Sequence, residues 1–468
     1  MKKYILIFVT LFAACQKKIE PTHFNWTPKD SPEKLESFVR EVKVNKTSSI
    51  IYKNQKIENG LQTFDRVGVK NTFIKKKFKK DLSLASIEAL YLNETQMKGA
   101  LPPINYSKFK QDKEILRLEK IHRNLKIKSS KIFETLENDH SVFKKYLILE
   151  YELSNGYIYQ ARYTPSLKLY DIKQMGSHLA HSDKNNEFSA ESTQAMTQVY
   201  PQGPKLTALT DVLLKNIYSE PALSNPFILV SNEAEQKITQ VTPLLKFDPK
   251  DTRFDQVQVY YFMDKALDWM KTKLKIELTQ KLEAVVNVGY PENTNTAFYY
   301  KGKIRLGRGD SEVFTSIASD PSIIYHETFH AAIDGMAGLP YEKEGGSLNE
   351  AFADFFTCVA LGRPFLGEAA YLKGPFKRSL LTDKKLTEKT GGLYHDSLII
   401  SSLLWEIKEK TSETEAIELA TQILSEMNYF SDFESFNNSL IDKIKVIYSK
   451  EKMNLVQDIL KKRGFRYE

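Results

Sequence analysis

Two histidines four residues apart, with a glutamate beside the first, are the residues of this chain best suited to chemistry. They lie in the segment Tyr325-His326-Glu327-Thr328-Phe329-His330. On a helix, residues i and i+4 share one face, so the two imidazoles converge, and Glu327 lies next to them with its carboxylate free to act on a bound water. This is the geometry that a catalytic zinc ion requires, and we predict one Zn2+ held by His326 and His330.

A hydrolytic zinc ion takes three protein ligands and leaves its fourth position to water, so a third ligand must come from elsewhere. Glu350, twenty residues after His330, is the natural candidate. It lies in a predicted second helix, with Ser347 as the N-cap and an apolar stripe behind it. Asp354 follows one turn later on the same face, where its carboxylate can orient a metal-bound histidine, and Asn349 is placed with it in this supporting role.

Less specific interpretations of both segments are open. An HExxH pattern arises by chance in about one chain in a hundred, and such matches are usually buried structural helices. Ser347-Leu348-Asn349-Glu350 also has the form of a capping box, in which Glu350 would only reach back to the N-cap amide. The two patterns together favour the metal site.

The same residues resemble a known family. The helix with His326 and His330, the turn Ala337-Gly338-Leu339-Pro340-Tyr341 and the segment Gly346-Ser347-Leu348-Asn349-Glu350-Ala351-Phe352-Ala353-Asp354 are similar, in residue type and spacing, to the thermolysin-like gluzincin zinc metallopeptidases. The resemblance covers residues 195–468 and is densest over residues 295–405. It implies a two-lobed catalytic domain with the zinc ion in the cleft between the lobes.

The resemblance also implies roles for residues around the metal. Tyr341 on the turn and His395, in Gly391-Gly392-Leu393-Tyr394-His395-Asp396-Ser397, would donate hydrogen bonds to the oxyanion of the tetrahedral intermediate. Arg378, in Lys377-Arg378-Ser379-Leu380, would hold a main-chain carbonyl of the substrate. Asn295 and Ala297, in Asn295-Thr296-Ala297-Phe298-Tyr299, would lie on an edge strand along which an extended peptide pairs.

Two departures from the family pattern bear on these assignments. Ser322 stands where calcium-stabilised members carry an aspartate, so a paired calcium site is not expected here. The loop before His395 aligns only with a one-residue shift, and Thr390 replaces the carboxylate that usually precedes that histidine by five residues.

Together these residues predict a zinc metalloendopeptidase. The zinc ion would act as a Lewis acid on the substrate carbonyl and lower the pKa of its water, while Glu327 would accept the proton and later deliver it to the leaving amine. The sequence has no G-x-S-x-G elbow, Walker loop or dinucleotide fingerprint. Two alternatives are open: a zinc hydrolase that matures one partner or acts as an exopeptidase, and a non-catalytic surface binding module on the same fold.

The N-terminus predicts export. Met1-Lys2-Lys3 is a positive start, residues 4–14 are an apolar run too short to span a bilayer permanently, and Phe12-Ala13-Ala14-Cys15 is a small-residue cleavage site. This pattern resembles a bacterial lipoprotein signal over residues 1–14, which implies a lipidated Cys15 and attachment to a membrane of the cell envelope. The alternative is an ordinary secretory signal cut nearby.

Composition limits the other function classes. The two cysteines, Cys15 and Cys358, provide no disulfide framework, and Cys358 is expected to be a small buried side chain. The formal charge of +8 is spread along the chain, with one dense basic run over residues 75–80 that is expected to be solvated. No nucleic-acid motif accompanies it, so we expect a peptide or protein substrate and no nucleic acid.

The order of secondary-structure signals predicts an α+β protein. A tether over residues 15–35 precedes an N-terminal α+β domain over residues 36–190, with a helix at residues 111–124 and a hairpin turning at Asn155-Gly156. By its position this domain is similar to the prosegments that precede thermolysin-like catalytic domains. The catalytic domain covers residues 191–468, with a β-rich upper lobe to residue 318 and a helical lobe from residue 319, where Asp320-Pro321 starts the zinc helix.

Overall fold

The computed structural model describes residues 22–64, 67–69, 72–92, 104, 106–139, 142–175, 192–218 and 223–467. The predicted signal peptide, Cys15 and the segment at residues 176–191 lie outside the described residues. Within the described part, none of the helices combines the length and the apolar character needed to span a membrane.

In the residues described, the N-terminal part is a large, mainly antiparallel sheet with two α-helices. Its strands follow one another as β1-β6-β5-β3-β4-β7-β8-β9-β10, with β2 paired to β3 outside this path. The parallel pair β4 and β7 is the exception to the antiparallel order. The strands are β1 (Thr22–Trp26), β2 (Lys43–Tyr52), β3 (Gln55–Phe64), β4 (Val67–Val69), β5 (Phe73–Phe78), β6 (Leu84–Tyr91), β7 (Ile127–Asp139), β8 (Val142–Leu153), β9 (Ile158–Tyr163) and β10 (Leu169–Met175), and the helices are α1 (Pro32–Glu41) and α2 (Gln111–Ile121).

The predicted tether is wrong over its second half. β1 pairs with β6 from Thr22 to Trp26, and α1 begins at Pro32 with Ser31 as its N-cap. The physical reason is the alternation in this segment, because Phe24 and Trp26 point to the same side of the strand and are both buried. Other local signals are confirmed, including the α2 helix and the hairpin of β8 and β9 around Asn155-Gly156.

The middle of the chain forms two smaller sheets around one long helix. In the four-stranded sheet the order is β13-β16-β18-β17, which places β17 at an edge. The second sheet has the order β12-β11-β14. The elements are β11 (Ser192–Val199), β12 (Thr210–Tyr218), β13 (Ile228–Asn232), β14 (Leu244–Leu245), α3 (Thr252–Trp269), β15 (Ile276–Leu278), β16 (Leu282–Val286), β17 (Ala297–Tyr300) and β18 (Lys303–Leu306).

The C-terminal part is mainly helical, which confirms the predicted α+β class. One buried apolar cluster runs through these helices and α3. A short hairpin of β19 (Phe365–Leu366) and β20 (Arg378–Ser379) interrupts them. The helices are α4 (Pro321–Met336), α5 (Lys343–Leu361), α6 (Leu393–Lys410), α7 (Glu413–Glu426), α8 (Phe433–Ile447) and α9 (Lys450–Arg463).

The N-terminal part is joined to the rest of the chain by a shared sheet. β15, which lies beyond the 176–191 segment, pairs antiparallel with β2, so that Ile276 faces Tyr52 and Leu278 faces Ile50. From β2 and β3, Ser48 Oγ donates to the main-chain oxygen of Asp334 at 3.0 Å and Asn59 Nδ2 donates to that of Gly335 at 2.9 Å. These donors bind carbonyls at the C-terminal end of α4, where Asp334 O also accepts from Gly338 N at 3.0 Å.

A buried lysine makes a second connection of this kind. Lys75 is only 2% exposed, and its Nζ donates to the main-chain oxygens of Ser425 at 2.8 Å and Met427 at 2.7 Å, at the end of α7. The prediction of a solvated basic run is therefore wrong for Lys75, because this amine is buried and donates to the carbonyl end of a helix. Burial lowers the pKa of Lys75 to about 7. Sequence patterning does not reveal such a role.

We predict that cutting the chain within residues 176–191 leaves the two fragments associated. The reason is that the strand pairing of β15 with β2 and the buried donors Asn59 and Lys75 do not depend on that connection. A protease site inserted there should give two bands on a denaturing gel and one gel-filtration peak at the elution volume of the uncut protein. Elution of a separate N-terminal fragment in native buffer would contradict this prediction.

Candidate active site

Helix α4 carries both histidines and Glu327. It begins at Pro321, with the Asp320 carboxylate accepting a hydrogen bond from Ser322 N as the sequence predicts. The helix is buried on nearly all sides, so its rotation and register are fixed by packing. His326 Nε2 and His330 Nε2 lie 3.1 Å apart, which confirms that the two rings converge.

Helix α5 brings Glu350 to the same point. Glu350 Oε2 lies 3.1 Å from His326 Nε2, and Oε1 lies 3.7 Å from His330 Nε2. The predicted helix start at Ser347 is wrong, because α5 begins at Lys343 and Ser347 Oγ donates instead to the main-chain oxygens of Lys343 and Leu393. The capping-box interpretation of Glu350 fails with it, since Glu350 lies two turns inside the helix.

The partners of the outer ring nitrogens fix the tautomers of both histidines. His326 Nδ1 lies 2.8 Å from Asp354 Oδ1, and His330 Nδ1 lies 2.8 Å from Asn349 Oδ1. Both partner atoms are acceptors, so they favour a proton on each Nδ1, and a neutral ring of that tautomer offers its Nε2 lone pair to a metal ion. Asp354 and Asn349 thus face the two histidines, and their role in orienting metal ligands stays a prediction.

The resulting cluster fits a metal ion. One ligand atom each from His326, His330 and Glu350 lies within 4.8 Å of the others, and all three side chains are buried. Neither carboxylate oxygen of Glu350 has a hydrogen-bond donor among the described residues. Two imidazole lone pairs and a carboxylate crowded together in the interior repel one another unless a cation lies between them, and two nitrogens with one oxygen are a common ligand set for catalytic zinc.

Glu327 is buried beside the cluster without belonging to it. Burial raises the pKa of Glu327 to about 7, although nearby His326 acts in the opposite direction. A carboxylate with a pKa near neutral can both accept and release a proton at physiological pH. This is the property that a general base needs.

Arg378 lies behind the metal ligands. Its Nη2 donates to Asp354 Oδ1 at 2.7 Å, so Asp354 is shared between Arg378 and His326. The Arg378 guanidinium carbon also lies 5.3 Å from the ring centre of Tyr394. These contacts make Arg378 part of the support of the ligands, and its role in holding a substrate carbonyl stays a prediction.

Tyr341 lies on the turn between α4 and α5. Its ring centre is 6.2 Å from that of His330, and its hydroxyl is 3.0 Å from that of Tyr394. Burial, followed by the Glu350 carboxylate, raises the pKa of Tyr341 well above its ordinary value, so the phenol stays a donor. Glycine is required at position 346, because a Cβ there would lie 2.8 Å from the main-chain carbon of Tyr341.

His395 lies on the first turn of α6 and is not joined to the ligands. Its Nε2 is 2.6 Å from Lys384 Nζ, and its Nδ1 is 2.9 Å from Asp396 Oδ1. The neighbouring Tyr394, which the sequence analysis passed over, is the residue that reaches Tyr341. In the sequence, the only indication of a role for Tyr394 was the one-residue shift in the match to the family before His395.

The edge strand contains one of the two predicted substrate residues. Ala297 begins β17, whereas Asn295 lies before the strand and bonds to Asp310 through both its amide nitrogen and its oxygen. Tyr299, another residue that the sequence analysis did not select, stacks on His330 with ring centres 6.3 Å apart and donates to Asp334 Oδ2 at 3.2 Å. It points to the same side as Ala297, as alternation along a strand requires.

Hydrogen bonds occupy the oxygen atoms around Ser322. Ser322 Oγ donates to Asp320 Oδ1 at 2.6 Å and accepts from Gly367 N at 2.7 Å. The other oxygen of Asp320 accepts from the amides of Ala369 and Ala370. Hydrogen bonds from main-chain amides thus hold the loop at residues 367–370 against the start of α4.

Because these oxygens already have donors, we expect calcium to contribute little to stability. Addition of calcium to the zinc-loaded protein in calcium-free buffer should change the Tm by less than about 2 °C, since a ligand raises stability only if it binds the folded state. Differential scanning calorimetry with and without calcium is the measurement. A Tm that rises by more than this amount when calcium is added would show that a calcium ion binds.

Comparison with known proteins gives related segments and no match to a protein-family profile. The chain is 32% identical to a bacillolysin of Bacillus cereus over 102 residues, covering 21% of this chain and 18% of the relative. It is 31% identical to a zinc metalloproteinase of Listeria monocytogenes over 121 residues, covering 25% and 24%. A thermolysin of Alicyclobacillus acidocaldarius is 36% identical over 69 residues, covering 15% and 13%. The matches therefore span about a quarter or less of these relatives.

Among solved structures, the precursor of protealysin from Serratia proteamaculans aligns with 60% of this chain and 91% of its own, with a TM-score of 0.44 and 15% identity. The matched segments make the chain similar to thermolysin-like zinc metallopeptidases over part of its length.

Proposed function

We propose that this protein is a zinc-dependent endopeptidase. The observation that carries the proposal is the convergence of three buried ligand atoms, from His326, His330 and Glu350. The carboxyl of Glu327 lies close enough to His326 and Glu350 for both to act on its pKa. The relatives named zinc metalloproteinase and thermolysin support the same activity.

The residues of the site can share the work of hydrolysis. His326, His330 and Glu350 would hold a zinc ion, which would supply the Lewis acidity that polarises a carbonyl and acidifies a water. Glu327 accepts the proton of the attacking water on its carboxylate and delivers it to the leaving nitrogen as the peptide bond breaks. The Tyr341 hydroxyl donates to the carbonyl oxygen as negative charge develops there, and one such donor accounts for about 10²–10³ in kcat. The products are a carboxylate and an amine, with no covalent intermediate on the chain.

Peptide binding would use the edge of the four-stranded sheet. Among the strands that the structure describes, β17 pairs with β18 alone, so its other edge can pair with an extended substrate by main-chain hydrogen bonds. Ala297 begins this strand and Tyr299 stacks on His330, so the strand leads directly to the metal ligands. Arg378 would hold a substrate carbonyl near the ligands, and Asn295 would act through the loop that it holds with Asp310.

The place of action follows from the N-terminal residues. We infer an exported protein of the bacterial cell envelope, attached to a membrane by a lipid on Cys15, from the positive start, the short apolar run and the small-residue cleavage site. Labelling of cells with a radioactive fatty acid should mark the wild-type protein and not the Cys15→Ser variant.

The activity is tested with a mixed library of quenched peptides and the zinc-loaded full chain in mild detergent. We expect cleavage at internal peptide bonds, identified by mass spectrometry of the fragments, and loss of cleavage with the His330→Ala variant and with 1,10-phenanthroline. Release of terminal residues alone would point to an exopeptidase. No cleavage by a protein that binds one zinc ion would reject the proposal.

A further inference from the structure

A second phenol lies beside Tyr341 at the metal cluster. The hydroxyls of Tyr341 and Tyr394 are 3.0 Å apart, and both can donate or accept. Tyr341 is packed against His330, and Tyr394 lies over the guanidinium of Arg378, which binds Asp354. The two hydroxyls therefore meet at a point bounded by the residues that hold and support the ligands.

The environment of Tyr394 keeps its hydroxyl protonated. Burial, followed by the Glu350 carboxylate, raises the pKa of Tyr394 above its ordinary value; Glu327 acts in the same direction, and Tyr341 and Arg378 oppose them. The Tyr394 side chain is partly open to solvent, because the residue is 49% exposed. The phenol of this half-exposed residue is therefore still a hydrogen-bond donor at neutral pH.

His395 has no donor to offer at the same place. Lysine is only a donor, so the contact of Lys384 Nζ with His395 Nε2 makes that nitrogen an acceptor. His395 Nδ1 must then carry the proton, and it faces Asp396 Oδ1 at 2.9 Å. Adjacent helical residues point about 100° apart, so Tyr394 and His395 do not share a direction on α6.

We propose that Tyr394, paired with Tyr341, is the second hydrogen-bond donor to the oxyanion, in the position that the sequence analysis assigned to His395. The inference rests on the proposed peptidase function. At rest one phenol donates to the other, and in the reaction both rotate their O–H bonds toward the developing negative oxygen. No proton leaves either phenol, so the step needs no further reactant.

The test compares two single variants of the zinc-loaded full chain. Tyr394→Phe removes only the hydroxyl and should lower kcat about 10²-fold with KM within about threefold, as for loss of one oxyanion donor. His395→Gln should keep kcat within about threefold. Zinc content and Tm are measured for both, so that a fold defect is recognised as such.

Inhibitor binding separates a catalytic from a structural role. A phosphonate peptide, which carries a tetrahedral anion, should bind Tyr394→Phe about 10²-fold more weakly, while a product peptide binds both proteins within about threefold. Tyr394→His, which restores a donor, should recover activity to within about tenfold of the wild type and add an alkaline limb to the pH profile near the ordinary histidine pKa of about 6.5.

Loss of kcat in His395→Gln with no loss in Tyr394→Phe would overturn the inference and return the role to His395. Equal weakening of the phosphonate and the product peptide by Tyr394→Phe would also overturn it. Failure of the wild type to cut any peptide rejects the peptidase proposal instead, and the phosphonate affinities still decide the role of Tyr394.

Discussion

Replacement of Glu327 by glutamine is expected to lower kcat by about 10³- to 10⁴-fold while the protein still binds one zinc ion. Glutamine has the same shape as glutamate and cannot accept the proton of the attacking water, and general-base catalysis contributes up to about 10⁴ in rate. Burial raises the pKa of Glu327 to about 7, so the carboxylate is a stronger base than an exposed one. Glu327 is not among the three ligands, so metal content should be unchanged.

A matched control removes another carboxylate at the edge of the site. Glu342 follows Tyr341 in the chain and immediately precedes α5. It forms an ion pair with Lys173 in which both side chains are nearly half exposed. Exposed pairs of this kind contribute little, so Glu342→Gln should keep kcat within about twofold. The measurement is initial-rate kinetics on one quenched peptide, with zinc quantified by mass spectrometry. A Glu327→Gln protein that retains more than a tenth of the wild-type kcat would exclude Glu327 as the base.

The features predicted most accurately from the sequence are those that depend on residues close together in the chain. The N-cap Asp320 and the following Pro321 start α4 as expected, and Asn155-Gly156 turns the hairpin of β8 and β9. Capping and turn formation involve only a few adjacent side chains, so the information is complete within a short window. The same locality explains why the ligand helix and its two histidines could be identified.

Features set by packing against distant residues were missed or misplaced. The start of α5 depends on Gly345 and Gly346, where added Cβ atoms would come within 2.7 Å of Pro340 Cγ and 2.6 Å of Leu393 Cδ1. The residues next to Ser347 form a capping pattern, but they do not reveal the contacts with Pro340 and Leu393. Lys75 is a similar case, because the carbonyl of Ser425, to which it donates, lies 350 residues away in the chain.

Among the residues around the ligands, too, those near Glu350 in the chain were predicted and a distant one was missed. Asp354 and Asn349 were located because they lie on the same helix as Glu350, within one turn of it. Tyr394 was not, because the choice between it and His395 depends on the rotation of α6 relative to Tyr341, and one residue changes that direction by about 100°. A resemblance with an uncertain register cannot settle such a choice.

Asp354→Ala is expected to have the largest effect on stability and zinc affinity together. Asp354 is fully buried between His326 and Arg378, so its removal leaves a buried guanidinium without its partner. Breaking a buried ion pair in this way costs about 3–5 kcal/mol. His326 also loses the acceptor that fixes its tautomer, which should weaken zinc binding about 10- to 100-fold. Urea unfolding and zinc titration with a competing chelator measure the two effects.

The double variant Asp354→Ala with Arg378→Met separates these two effects. Methionine fills part of the space of the arginine without a charge, so most of the lost unfolding free energy should return, whereas the zinc affinity should stay low because His326 still lacks its acceptor. Recovery of both quantities would mean that Asp354 acts only by neutralising Arg378. Recovery of neither would mean that the cavity, and not the unpaired charge, causes the loss of stability. Only the first pattern, stability restored and zinc affinity still reduced, agrees with a carboxylate that orients a metal ligand.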